Sequence, residues 1–157
     1  MVVSTALVVA PDSDIYMASE LADRVIGLNY GNGTSYTALQ MLEGFLPREA
    51  IRTCAATTST VVRYRQLLAG EFDAICLQEP WITVAEKAGC RLIAQAFYHG
   101  AWVAADYVDT DTYAAFLRAV TEAVSRINAD KRGYMHYFLQ GSENIPELAS
   151  ITVDDFN

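Results

Sequence analysis

Through much of the chain, short continuous apolar runs alternate with stretches of helical period. Residues 5–10 (Thr-Ala-Leu-Val-Val-Ala) are apolar and β-branched and are ended by Pro11, the pattern of a strand covered on both faces. Residues 24–29 (Arg-Val-Ile-Gly-Leu-Asn) repeat that character after the short segment 17–22. From Thr34 the period changes, and Tyr36, Leu39, Met41, Leu42 and Phe45 fall at helical spacing until Pro47. A second unit follows: a strand over 51–56, the hydroxyl-rich helix start Thr57-Thr58-Ser59-Thr60, a buried face of Val61, Val62, Tyr64, Leu67 and Leu68, and Gly70 as the stop. A third has a strand over 73–77, a helix over 80–88 with Pro80 in its first turn and Gly89 past its end, and a strand over 91–96.

This alternation predicts an α/β fold, a three-layer, mostly parallel sheet flanked by helices. Ligands of such sheets sit beyond the carboxyl ends of the strands, which singles out the loops 30–35, 57–60 and 78–81. Further on, 101–105 reads as one more strand. Asp109-Thr110-Asp111-Thr112 signals a helix start before Tyr113, Phe116, Leu117, Val120, Val124 and Ile127, and 130–139 reads as a second helical piece. The expected organisation is an α/β ligand-binding lobe over 1–109, a helical extension over 110–142 and a polar tail over 143–157.

With 157 residues, 52% of them hydrophobic and 19% charged, the chain can bury one substantial core. A net charge of -8 argues against a nucleic-acid partner, which would need clustered Lys and Arg. No basic region precedes the N-terminal apolar run, so no signal peptide is read. No stretch approaches the roughly 20 apolar residues of a membrane span. The expectation is a soluble chain, cytoplasmic as written or an excerpt of an exported protein. Cys54, Cys76 and Cys90 form no C-x-x-C pair, so neither a disulfide framework nor a metal site is predicted, and no cofactor either. Cys54 and Cys76 lie in predicted strands and are expected to be buried, reduced thiols.

The candidate chemistry lies in three loops. In Asn29-Tyr30-Gly31-Asn32-Gly33-Thr34-Ser35, Gly31 and Gly33 allow close backbone approach, and the first N–H groups of the following helix favour an anion. The loop lacks the Lys-Ser/Thr of a phosphate-binding Walker loop, and Thr34 or Ser35 capping the helix would account for it equally simply. Thr57, Thr58 and Ser59 offer hydroxyls at a second junction, one of them as a cap and another open to a ligand. At the third, Gln78, Glu79 and Trp81 suit a cationic or hydroxylated group. Alternatively, Glu79 serves the helix start and Trp81 packs beneath the loop. Neither His99 nor His136 has a visible catalytic partner, and no catalytic residue is assigned. Arg24, Arg52, Arg63, Arg65 and Arg91 all fall outside these loops, so a charged solute is expected to rely mostly on backbone N–H groups or on a residue from outside this chain.

Several stretches together resemble a known family: the strand into Ala-Pro-Asp-Ser, then Val-Ile-Gly-Leu-Asn with the Gly loop, and Leu68-Ala69-Gly70-Glu71-Phe72-Asp73-Ala74 leading to Glu79-Pro80-Trp81. Over about Ala6 to Leu139 the chain resembles the type 2 periplasmic solute-binding proteins of the nitrate, sulfonate, taurine and thiamine-precursor group. The resemblance implies the second of two lobes that close on a solute and deliver it to the permease of an ABC importer, with helices returning from 113–139. It implies a periplasmic or membrane-anchored extracellular setting for the family. It maps ligand contacts onto 29–35, 57–59 and 78–81. The N-terminal half of the first lobe has no counterpart here, so the chain reads as truncated, as completed by a complementary lobe or second copy, or as a small stand-alone domain. A homodimer through an exposed face containing Phe116, Val120, Val124 or Phe138 is expected.

Three functions follow. The first is a non-catalytic solute-binding domain for a small organic anion or polar aromatic molecule. The second is an enzyme on the same scaffold, of desulfinase, dehydratase or thiamine-pyrimidine synthesis type, with Cys54, Cys76, His99, Glu79 and Tyr30 as the available groups. The third is a partner-binding remnant without a ligand.

Overall fold

The computed structural model describes residues 2–55, 59–140 and 144–156. They form two compact units, Met1–Gly100 and Ala101–Asn157.

The first unit is a five-stranded sheet in the order β3-β2-β4-β1-β5. Its strands are β1 (Val2–Val9), β2 (Val25–Leu28), β3 (Arg52–Ala55), β4 (Ala74–Leu77) and β5 (Arg91–His99). β2 pairs in parallel with β3 and β4, while β1 runs antiparallel to both β4 and β5. Four strands therefore share one direction and β1 opposes them. Helices α1 (Gly33–Glu43), α2 (Thr60–Leu68) and α3 (Trp81–Lys87) flank the sheet, giving the mostly parallel α/β lobe that the alternation predicts.

β1 and β4 explain why the inner strands are unbroken apolar runs. Thr5 to Val9 and all of Ala74–Leu77 are buried, as expected of strands with neighbours on both sides and cover on both faces. Leu7, Val9, Ile26, Leu28 and Cys76 meet Ile15, Leu21, Ala38, Leu42 and Leu46 in one core. Edge strand β3 is mostly exposed, and with it Cys54, against the expectation of a buried thiol. An edge strand has only one strand neighbour, so its apolar letters do not guarantee burial.

Two helices present other faces than their apolar letters suggest. On α1, Tyr36 is exposed, as is Phe45 just past its end, and Thr34, Ser35, Thr37, Ala38 and Leu42 are buried. On α2, Val62 and Leu68 are exposed, while Arg63, Tyr64 and Leu67 are buried. Both buried faces keep helical spacing. Their choice is set by anchors elsewhere: small residues where α1 approaches the sheet, and Trp81 against Tyr64 at 5.4 Å between ring centroids.

In the second unit, Asp109 caps α4 (Thr110–Ala129) by accepting the Thr112 N–H at 2.8 Å. Asp130 caps α5 (Lys131–Leu139) through the Gly133 N–H at 2.9 Å. Residues 101–105 form no strand, correcting that expectation; Trp102 instead meets the edge of Phe116 at 5.3 Å. Within the segment read as a polar tail, α6 (Pro146–Ala149) and its continuation bury Leu148 and Ile151. No helix among the described residues is long and apolar enough to cross a membrane.

Candidate functional site

β2 and β4 are spatial neighbours although β3 lies between them in the chain. Their following connections leave in opposite directions across the sheet, one to β3 and one towards β5, and a crevice opens at their carboxyl ends. There a pocket of about 130 Å³ is lined by Asn29, Asn32, Thr34, Ser35, Thr60, Arg63, Cys76 and Gln78.

Each wall has a local cause. Gly31, at φ +83°, turns the chain back after β2. Asn32 then caps α1, its Oδ1 accepting the Ser35 N–H at 2.9 Å and the Ser35 hydroxyl at 3.1 Å. The cap is thus Asn32, and neither Thr34 nor Ser35. Ser35 Oγ also donates to the Asn29 carbonyl, tying the helix to the end of β2. Gly33 has no room for a side chain, since a Cβ there would lie 2.7 Å from the Tyr98 ring. Ser59 caps α2 through the Val62 N–H at 3.5 Å, which brings Thr60 and Arg63 to the opposite wall. The first turns of α1 and α2 thus reach one pocket, and helix N-termini carry partial positive charge.

Arg63 is 5% exposed. Burial pulls its pKa down, offset in part by the nearby Cys76. A guanidinium starts so high that it stays charged. Cys76, on β4, contacts Thr5 Oγ1 at 3.0 Å and donates to the Thr34 carbonyl at 3.7 Å. Burial pushes its thiol up to about 11. Gln78, just past β4, donates from Nε2 to Tyr98 Oη at 2.8 Å and also to Thr34 Oγ1.

The structure therefore joins four of the candidate residues, Asn29, Thr34, Ser35 and Gln78, with Asn32 and Thr60 from the same loops and with Arg63 and Cys76 from outside them. Thr57 and Thr58 lie outside the described residues. Tyr30 stands apart from the lining, half exposed, its hydroxyl 2.5 Å from Thr53 Oγ1. Glu79 turns to α3, accepting the Thr83 N–H at 3.2 Å and its hydroxyl at 2.9 Å. Trp81 is buried against Tyr64. These two residues perform the structural roles open to them and do not line the pocket. Arg63, which lies outside the three loops and one turn beyond the hydroxyl-rich start, also lines the pocket. Its i, i+3 relation to Thr60 was the available signal. His99 is exposed at the end of β5, and His136 is exposed on α5 with its ring 4.0 Å from Tyr137. Among the described residues, no group of three or more His, Cys, Asp or Glu side chains could hold a metal ion.

The chain is similar in structure to the alkanesulfonate-binding protein SsuA of Xanthomonas axonopodis pv. citri, bound to MOPS, with 18% identity, 96% of this chain and 55% of that one covered, and a TM-score of 0.63. For the periplasmic aliphatic sulphonate-binding protein SsuA of Escherichia coli the values are 16%, 98%, 55% and 0.64. For an ancestral arginine-binding protein bound to arginine they are 14%, 88%, 61% and 0.58. The fold is that of one lobe of a type 2 periplasmic binding protein. At these identities the likeness establishes the fold alone, and the chain spans about half the length of the two sulfonate-binding structures. No protein-family model matches the sequence, and no curated protein does.

Proposed function

We propose that the chain is a non-catalytic solute-binding lobe of ABC-importer type and that the pocket between α1 and α2 receives the acid group of a small organic anion. In this reading residues 1–109 form the binding lobe and 110–142 the helical extension, and the importer's permease is the eventual partner. The observation that carries it is a buried arginine that lines one pocket with residues from the first turns of two helices, at the carboxyl ends of adjacent parallel strands. Amides, hydroxyls and the Cys76 thiol supply the rest of the lining, which among the described residues contains no aromatic ring, so an anionic head suits it better than an aromatic ring. Its volume matches a single acid group, whereas whole drug-sized ligands occupy roughly 300 Å³ or more. The rest of the solute would lie against a complementary lobe. Binding without chemistry is supported by Cys76: a thiol held protonated by burial is a poor nucleophile.

Calorimetric titration with methanesulfonate, acetate, inorganic phosphate and a neutral pyrimidine tests this. Saturable binding of an anion is expected, weak for want of a second wall, with at least about a tenfold loss in Arg63→Gln. A protein that binds none of the anions, or binds them equally well without Arg63, would refute the assignment.

A further inference from the structure

Tyr98 does not line the pocket, yet two parts of the pocket wall rest on it. Its ring lies against the α-carbon of Gly33, the first residue of α1, closely enough that a Cβ would sit 2.7 Å from it. Its hydroxyl accepts from Gln78 Nε2 at 2.8 Å, and the same nitrogen donates to Thr34 Oγ1. A primary amide has two N–H bonds, so this pair of contacts fixes the plane of the Gln78 side chain at the pocket wall. Tyr98 belongs to β5, opposite Val3 of β1, and is the penultimate residue of that strand.

We propose that Tyr98 is a positioning residue for the anion pocket, coupling occupancy of the pocket to the end of β5 through Gln78 and the first turn of α1. This rests on the anion-binding reading above. An occupant that packs against the Gln78 side chain and the first turn of α1 restrains the groups against which the Tyr98 hydroxyl and ring rest. Coupling of this kind is reciprocal: if occupancy orders the end of β5, an ordered end of β5 favours occupancy, and loosening Tyr98 is expected to weaken the occupant.

The test uses the full chain with methanesulfonate as probe, comparing wild type with Tyr98→Phe, which deletes the hydroxyl and leaves the ring over Gly33. Affinity by calorimetry, melting temperature without probe, and amide hydrogen exchange over residues 95–99 with and without probe are read together. The expected result is a loss of about three- to tenfold in affinity, an almost unchanged melting temperature, and probe-induced protection at the end of β5 that is present in wild type and absent in the variant. Gln78→Met, which cuts the same link from the other side, is expected to abolish that protection as well. Equal affinity and equal protection in wild type and Tyr98→Phe would overturn the proposal, as would wild-type exchange at 95–99 that ignores the probe. Wild-type protein that binds neither this probe nor the other anions would instead overturn the pocket assignment itself.

Discussion

A buried guanidinium and a buried thiol in one small pocket set its chemistry. Burial pulls the Arg63 pKa down without removing its charge, whereas Cys76 responds by keeping its proton. The three cysteines consequently differ in reactivity. Cys54 is exposed on edge strand β3, and Cys76 and Cys90 are buried. A thiol-reactive dye at neutral pH is expected to modify one thiol per native chain, at Cys54, and all three after denaturation; fast native labelling of Cys76 would contradict its assigned burial. Alkaline pH gives a second expectation. Because the folded state raises the Cys76 pKa from 9.0 to about 11, its contribution is complete below the unfolded value and is lost as pH rises across that interval. Urea melts at pH 8 and pH 10.5 should differ by on the order of 1–2 kcal/mol, with a smaller difference in Cys76→Ala.

At the scale of elements, the pocket is built by caps. Asn32 closes the first turn of α1 and also lines the site, so its substitutions separate stability from binding. Asn32→Ala is expected to cost about 1 kcal/mol in denaturant melts through loss of the cap. Asn32→Asp retains the cap and suits the helix dipole, yet it places a carboxylate beside the position assigned to the anion. It should leave stability within about 0.5 kcal/mol while reducing methanesulfonate affinity at least about tenfold. The order of these elements was legible in the sequence because buried strands are unbroken apolar runs and because Gly31, Gly70 and Gly89 turn the chain at positive φ. The faces of the helices were less so. Apolar letters on α2 pointed to Val62 and Leu68, but Arg63 shares the helical stripe of Tyr64 and Leu67 and takes the buried place. Polarity alone does not reveal that the sheet offers a polar crevice at that point. The same limit applies to Glu79 and Trp81, whose residue types suit a ligand as well as they suit the start of α3.

For the molecule as a whole, the pocket and α4 raise one question from two directions. On the solute-binding reading proposed above, a pocket sized for an acid group leaves the remainder of an organic solute to a second wall. α4 carries Phe116, Leu117, Val124 and Ile127 at helical spacing, each between 39% and 50% exposed, and buries no residue along its 20-residue length. An amphipathic helix left open in this way is poorly suited to isolation in water, because each apolar side chain withdrawn from solvent contributes roughly 1.5–3 kcal/mol when fully buried. A second copy or a complementary lobe would supply that cover. Light scattering on the purified 17.3 kDa chain at micromolar concentration is therefore expected to give a mass near twice that value. Val124→Glu combined with Ile127→Glu should return the mass to that of one chain without unfolding α4, since neither position is buried in the single chain. A wild-type monomer, unchanged by the double substitution, would remove self-association as the source of cover. On the solute-binding reading proposed above, mixing with a complementary lobe should then tighten anion binding in proportion to the solute surface it encloses.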